Sequence, residues 1–173
     1  LHKAGRGGQG GDLVVGGKAQ AVSEGIAGGI EVFNVSVMGE GADSETAGAE
    51  KPSNIGTLTS TLEALKTINI ETHEDFAGGS SFASLEIRDG FNDNDDGDEN
   101  GDLETVFANN FFGNLSLGTT DSIVNLDKLT ALGGGDIKFN GLLNGQELAQ
   151  AYSYMTGEGD DVIRVDIDGD ALD

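Results

Sequence analysis

The chain has no cysteine, no tryptophan and one proline, and only 9 basic residues stand against 31 acidic ones. Without cysteine, disulfide frameworks, thiol catalysis and zinc–thiolate centres are excluded. With no tryptophan and two tyrosines, little is available to shape the aromatic cleft in which a glycosidase would hold its acid. The shortage of bases leaves a formal charge of -22, which repels phosphates and so argues against nucleic acid and anionic membrane surfaces as partners. Divalent cations are the partners that such a charge favours. No apolar run reaches the ~18 residues of a membrane-spanning helix, so direct membrane insertion is not expected. The sequence begins at Leu1 and carries no secretory leader pattern, so a processed product or a piece of a longer polypeptide is expected. Neither G-x-S-x-G nor H-E-x-x-H occurs, and the two histidines, His2 and His73, read as a terminal and a surface residue. Gly5-x-Gly7-x-x-Gly10 has no strand before it, and Gly17-Lys18 is followed by Ala19, so nucleotide-binding loops are dismissed. An enzyme is not expected.

Glycine, by contrast, is abundant, at 29 of 173 residues without a collagen period. A short pattern recurs: apolar, two others, apolar, one other, apolar. It is carried by Val32, Val35 and Val37, by Leu65, Ile68 and Ile70, by Phe82, Leu85 and Ile87, and by Phe112, Leu115 and Leu117. A degenerate copy joins Gly134 to Ile137 and Phe139. The last two members of each copy alternate, as in a strand with one buried face. Their spacings of 33, 17, 30 and 22 residues fit a base turn of 17 to 22 residues with two insertions. An irregular β-sandwich would show similar strands. Narrow stacked coils suit a glycine-rich chain with few aromatics better than a thick two-sheet core. The expected fold is therefore all-β: a parallel β-solenoid or β-roll, with short helical turns at Thr59 to Lys66 and Gln146 to Tyr152 and with inserted calcium loops. The ten apolar residues closing the patterns should be buried in stacked registers.

Gly7-Gly8-Gln9-Gly10-Gly11-Asp12-Leu13-Val14-Val15 fills every fixed slot of the nonapeptide G-G-x-G-x-D-x-U-x. Thr156-Gly157-Glu158-Gly159-Asp160-Asp161-Val162-Ile163-Arg164 fits it with one departure, Thr156. Glycines Gly8 and Gly10, or Gly157 and Gly159, permit a turn that points carbonyl oxygens inward. Asp12 or Asp161 adds a hard anionic oxygen, and oxygens of both kinds are calcium ligands. On these residues, and on the stretches IEVFNVSV and AYSYMTGEGDDVI, the chain resembles the repeats-in-toxin family of secreted bacterial proteins, in particular its surface-layer and adhesin-type members. The resemblance implies parallel β-roll geometry, Ca2+ shared between successive turns, and export by a type I secretion machine to the bacterial cell surface.

A third acidic cluster runs from Asn92 to Glu104, with seven acids among its last twelve residues. Asn92, Asn94 and Asp96 precede Gly97, and Asp96, Asp98 and Asn100 precede Gly101, in two overlapping frames like the front of a DxDxDG calcium loop. Leu103 and Phe107 stand where an EF-hand would need glutamate, so a helix-loop-helix sensor is not expected. Asp102 and Glu104 complete the donor set, and unneutralised charge at this density repels itself. Asp166, Asp168 and Asp170 alternate on a polar face as a fourth candidate. The expectation is a single elongated module, residues 1–173, with nonapeptide turns at 7–15 and 156–164 and an acidic loop at 92–104. Its expected role is structural: a calcium-stabilised extracellular unit that assembles with copies of itself into a surface layer or filament. The alternatives are an adhesin binding module and the carrier region of a type I secreted hydrolase.

Overall fold

A computed structural model describes residues 10–15, 30–38, 53–60, 65–73, 84–91, 103–118, 124–143 and 152–167. Every regular element among them is a strand: β1 (Leu13–Val15), β2 (Val32–Val37), β3 (Ser53–Ser60), β4 (Thr67–Thr72), β5 (Leu85–Phe91), β6 (Thr105–Asn110), β7 (Leu115–Leu117), β8 (Val124–Asn125), β9 (Lys128–Ala131), β10 (Ile137–Leu143), β11 (Ser153–Thr156) and β12 (Val162–Ile167). They form two sheets. The first runs β1-β3-β5-β7-β10-β12, with β8 beside β10, and the second runs β11-β9-β6-β4-β2. All the pairings are parallel. Strand by strand the chain alternates between the sheets, broken only where β8 follows β7 into the same one. Parallel neighbours require a crossover, and here each crossover passes through the opposite sheet. This is an all-β arrangement of the parallel β-helix or solenoid-like class.

Period-two patterning sets the faces. In β4, Ile68 and Ile70 are buried while Glu71 is exposed; in β7, Leu115 and Leu117 are buried around a half-exposed Ser116. The inward residues of both sheets make one core cluster, to which the first contributes Leu85, Ile87, Leu115, Leu117, Ile137 and Phe139 and the second Val35, Val37, Ile68, Ile70, Val106 and Leu129. All ten residues expected in the core from the recurring pattern are in it.

The register corrects the single stack. Leu85, Leu115 and Ile137 are aligned across the first sheet, as are Ile87, Leu117 and Phe139. Val35 is aligned instead with Ile70, in the second sheet. The 17-residue interval between Ile70 and Ile87 is thus a crossing from one sheet to the other and not a full turn. Along the chain, the return to the same position takes 45 residues at Asp12–Thr57 and 22 at Asn114–Asp136. It takes 24 at Asp136–Asp160. The late passes of both sheets thus repeat every 22 to 25 residues, and the early passes are the ones lengthened by insertions. Thr59 and Ser60 end β3, so the expected helix does not begin there; residues 61–64 and 146–151 lie outside the described set.

Tyr154 ties the last pass to the core. Its ring packs at 5.0 Å from Phe139 of the first sheet, and its hydroxyl donates to the Leu126 carbonyl at 2.7 Å. Burial holds its pKa above the ordinary value, helped by Tyr152 and Asp127 nearby. The folded state disfavours the phenolate, so this contribution is intact below the ordinary tyrosine pKa of about 10 and is lost as pH rises beyond it. Tyr154→Phe keeps the packing and removes the hydrogen bond. Urea denaturation should read a loss of about 1 kcal/mol, and a variant as stable as the parent would show that bond to be idle.

Candidate functional site: the glycine–aspartate edge of the first sheet

Just before β7, β10 and β12 of the first sheet stands a glycine followed by Asn or Asp: Gly113-Asn114, Gly135-Asp136 and Gly159-Asp160. The three pairs stack. A Cβ on Gly135 would lie 2.1 Å from the Gly113 carbonyl oxygen, and one on Gly159 would lie 2.9 Å from that of Gly135. Gly159 also has φ 139, a conformation that L side chains rarely adopt. Only glycine allows backbones this close. The following residues form a hydrogen-bonded ladder: Asn114 Oδ1 accepts from Asp136 N–H at 3.0 Å, and Asp136 Oδ1 accepts from Asp160 N–H at 3.0 Å. Each side chain thus satisfies a backbone donor where the sheet begins.

The two nonapeptide aspartates sit at opposite ends of this sheet, beside its edge strands β1 and β12. Asp12 Oδ1 accepts from Thr57 N–H at 3.0 Å, and Asp161 Oδ1 accepts from Ile137 N–H at 2.9 Å. Both do the same work, bonding the backbone of the neighbouring strand ahead of their own apolar run. Gly10 is needed for approach: its Cβ would lie 2.1 Å from the Asn54 carbonyl oxygen. Gly157 approaches Leu132 less closely, with 2.9 Å to its carbonyl carbon and oxygen. Asp161→Asn should therefore preserve stability while Asp161→Ala loses about 1 kcal/mol. Equal melting of the two variants would remove the hydrogen-bonding role.

Of the other expected ligands, Glu104 lies before β6 at the matching edge of the second sheet. There its Oε1 pairs with Lys66 Nζ at 3.0 Å, both side chains about half exposed. That hydrogen bond, the charge of Glu104 and then Glu31 raise the Lys66 pKa. Asp166 is exposed on β12. Gly8, Asn92, Asn94, Asp96, Asp98, Asn100, Asp102, Asp168 and Asp170 lie outside the described residues. Among the described residues no three His, Asp or Glu side chains converge as a metal centre. No described helix is long and apolar enough to cross a membrane. Asn114 and Asp136 did not figure in the sequence reading, and Asp160 figured only as an unassigned slot of the second nonapeptide, although the recurring Gly-Asx dipeptide ahead of alternating apolar residues was a legible signal.

Among the described residues, each sheet ends in strands that are paired on one side only. At one end lie β1 and β2, and at the other lie β12 and β11. The second of these ends carries apolar side chains in solvent: Val162 at 54%, Ile163 at 39% and Met155 at 46% exposure. Comparison with protein-family models, with curated proteins and with solved structures finds no match for this chain.

Proposed function

We propose that the protein is a calcium-stabilised structural module, a closed parallel β-solenoid that assembles end to end with copies of itself in an extracellular layer or filament at the bacterial surface. The observation that carries this reading is that, among the described residues, the two parallel sheets each end in strands paired on one side only. Unpaired strand edges are templates for further strands. Because the strands within each sheet all point the same way, a copy added by translation continues both sheets in the same sense, a contact that propagates instead of closing. The exposed Val162, Ile163 and Met155 supply apolar area at one such end. Repulsion between modules of charge -22 opposes this contact, and Ca2+ is the counter-ion suited to offset it. Donors for the ion come from the acidic stretch Asn92 to Glu104 and, at the two ends, from the second carboxylate oxygens of Asp12 and Asp161. The repeats-in-toxin resemblance of the two nonapeptides points to the same compartment and to type I secretion.

Light scattering against protein concentration tests this reading. Growth beyond the monomer is expected in millimolar calcium and not in chelator. Ile163→Asp, which places a charge on the open end, should abolish the growth while circular dichroism stays unchanged. A protein that remains monomeric at high concentration in calcium refutes assembly.

A further inference from the structure

The outer face of the first sheet carries a cavity of about 320 Å³, lined by Ser84, Glu86, Asn114, Ser116, Asp136 and Lys138, with Leu85 and Leu115 between. Its shape follows from the pleat. Glu86, Ser116 and Lys138 are aligned across β5, β7 and β10. Ser84, Asn114 and Asp136 form a second row just before these strands. The Leu85 and Leu115 side chains are buried in the core at 1% exposure, so backbone makes the floor between the rows. That floor is already satisfied, since Leu85 N–H donates to the Asn114 carbonyl at 2.9 Å and Leu115 N–H to that of Asp136 at 3.0 Å. The small Ser116 keeps the trough open between the longer Glu86 and Lys138.

Three of the lining side chains are held in place by bonds that use one atom each. Glu86 Oε2 accepts from Asn54 Nδ2 at 2.7 Å. Asn114 Oδ1 accepts from Asp136 N–H, and Asp136 Oδ1 from Asp160 N–H. These bonds leave the side chains lining the trough with the Asn114 amide N–H groups, one oxygen on each carboxylate, two serine hydroxyls and the Lys138 ammonium. This is a mixed set of donors and acceptors, with Glu86, Asn114 and Asp136 held in place. The ammonium disfavours a metal ion, and two carboxylates in a chain of charge -22 disfavour an anion. Sugar hydroxyls both donate and accept, and the cavity is at the small end of ligand sites, which run from roughly 300 Å³ upward.

We propose that this trough binds a neutral saccharide unit, through hydrogen bonds and without an aromatic platform. Glu86 and Asp136 accept from its hydroxyls, and Asn114 and Lys138 donate to them. The proposal is independent of end-to-end assembly, because the trough lies on a sheet face and not at a strand edge.

Titration calorimetry on the full chain in millimolar calcium, with glucose, galactose, mannose and N-acetylglucosamine and their short oligomers as probes, tests it. Millimolar or tighter binding of at least one probe is expected. Glu86→Gln and Lys138→Met should each weaken it about 10-fold, the loss of a hydrogen bond to a charged group. Ser116→Tyr, which fills the trough from an outward position, should abolish binding while the dichroism spectrum and calcium-dependent scattering remain those of the parent. Absence of binding by every probe, or binding unaffected by Ser116→Tyr, overturns the proposal. So does a calcium equivalent lost in Glu86→Gln, which would make the trough a metal site.

Discussion

Gly133→Ala is expected to destabilise the protein more than any truncation of a core side chain. An added Cβ would lie 1.8 Å from the carbonyl oxygen of Phe111 and 2.6 Å from its carbon, so backbone meets backbone and no rotamer change relieves it. Phe111 cannot readily move: it is 1% exposed, and its N–H donates to the Ala108 carbonyl at 3.1 Å. Leu115→Ala, which removes buried aliphatic volume, should cost about 2–5 kcal/mol. Gly133→Ala should reach or exceed the top of that range, because adjacent passes must separate. Its neighbour provides the control. Gly134 has nothing within 4 Å of an added Cβ but has φ +96, so Gly134→Ala should cost only the backbone strain, about 1–2 kcal/mol. Urea midpoints of the three variants rank these effects, and a Gly133→Ala variant as stable as the parent would mean that the two passes are not in contact.

Chelation should have the second large effect. Against 9 bases, 31 acids leave a self-repulsion that destabilises the compact state. An ion held at about 100 times its dissociation constant adds roughly 2.7 kcal/mol, so a few sites together rival a domain's stability of about 5–15 kcal/mol. The β signal in circular dichroism is therefore expected to fall in chelator and to recover in millimolar calcium. Asp96→Ala, in the acidic stretch, should remove one calcium equivalent while the strands around Leu85 and Leu115 stay folded. Identical spectra and melting with and without chelator would end the calcium reading. An unchanged stoichiometry in Asp96→Ala would make that stretch a solvated loop.

Much of the core was legible because burial imposes a period of two wherever one face of a strand is covered. Val35, Val37, Ile68, Ile70, Leu85, Ile87, Leu115, Leu117, Ile137 and Phe139 were all found by that rule, and all are buried. The edge ladder was less visible. The Asn114 and Asp136 side chains accept from backbone N–H groups 22 and 24 residues away, those of Asp136 and Asp160, and a single pass gives no sign of which donor an Asx side chain will meet. Glu104 was read as a calcium donor because its neighbours in sequence are acidic. Its neighbour in space is Lys66, 38 residues away, brought there by the pairing of β4 with β6.

The sequence by itself determined the all-β character, the inward faces and the strong negative charge, because each follows from residue types at local spacing. Which strands stack upon which was left to the tertiary structure. Alternation says that a side chain points inward, but not which sheet it points from. Val35 and Leu85 carry the same pattern, yet they belong to opposite sheets. Insertions hide the period further, since 45 residues separate one aligned pair and 22 another. The need for glycine at 133 and 135 is likewise tertiary. It comes from the approach of Phe111 and Gly113 in the preceding pass, a distance that exists only once the chain has crossed to the other sheet and returned.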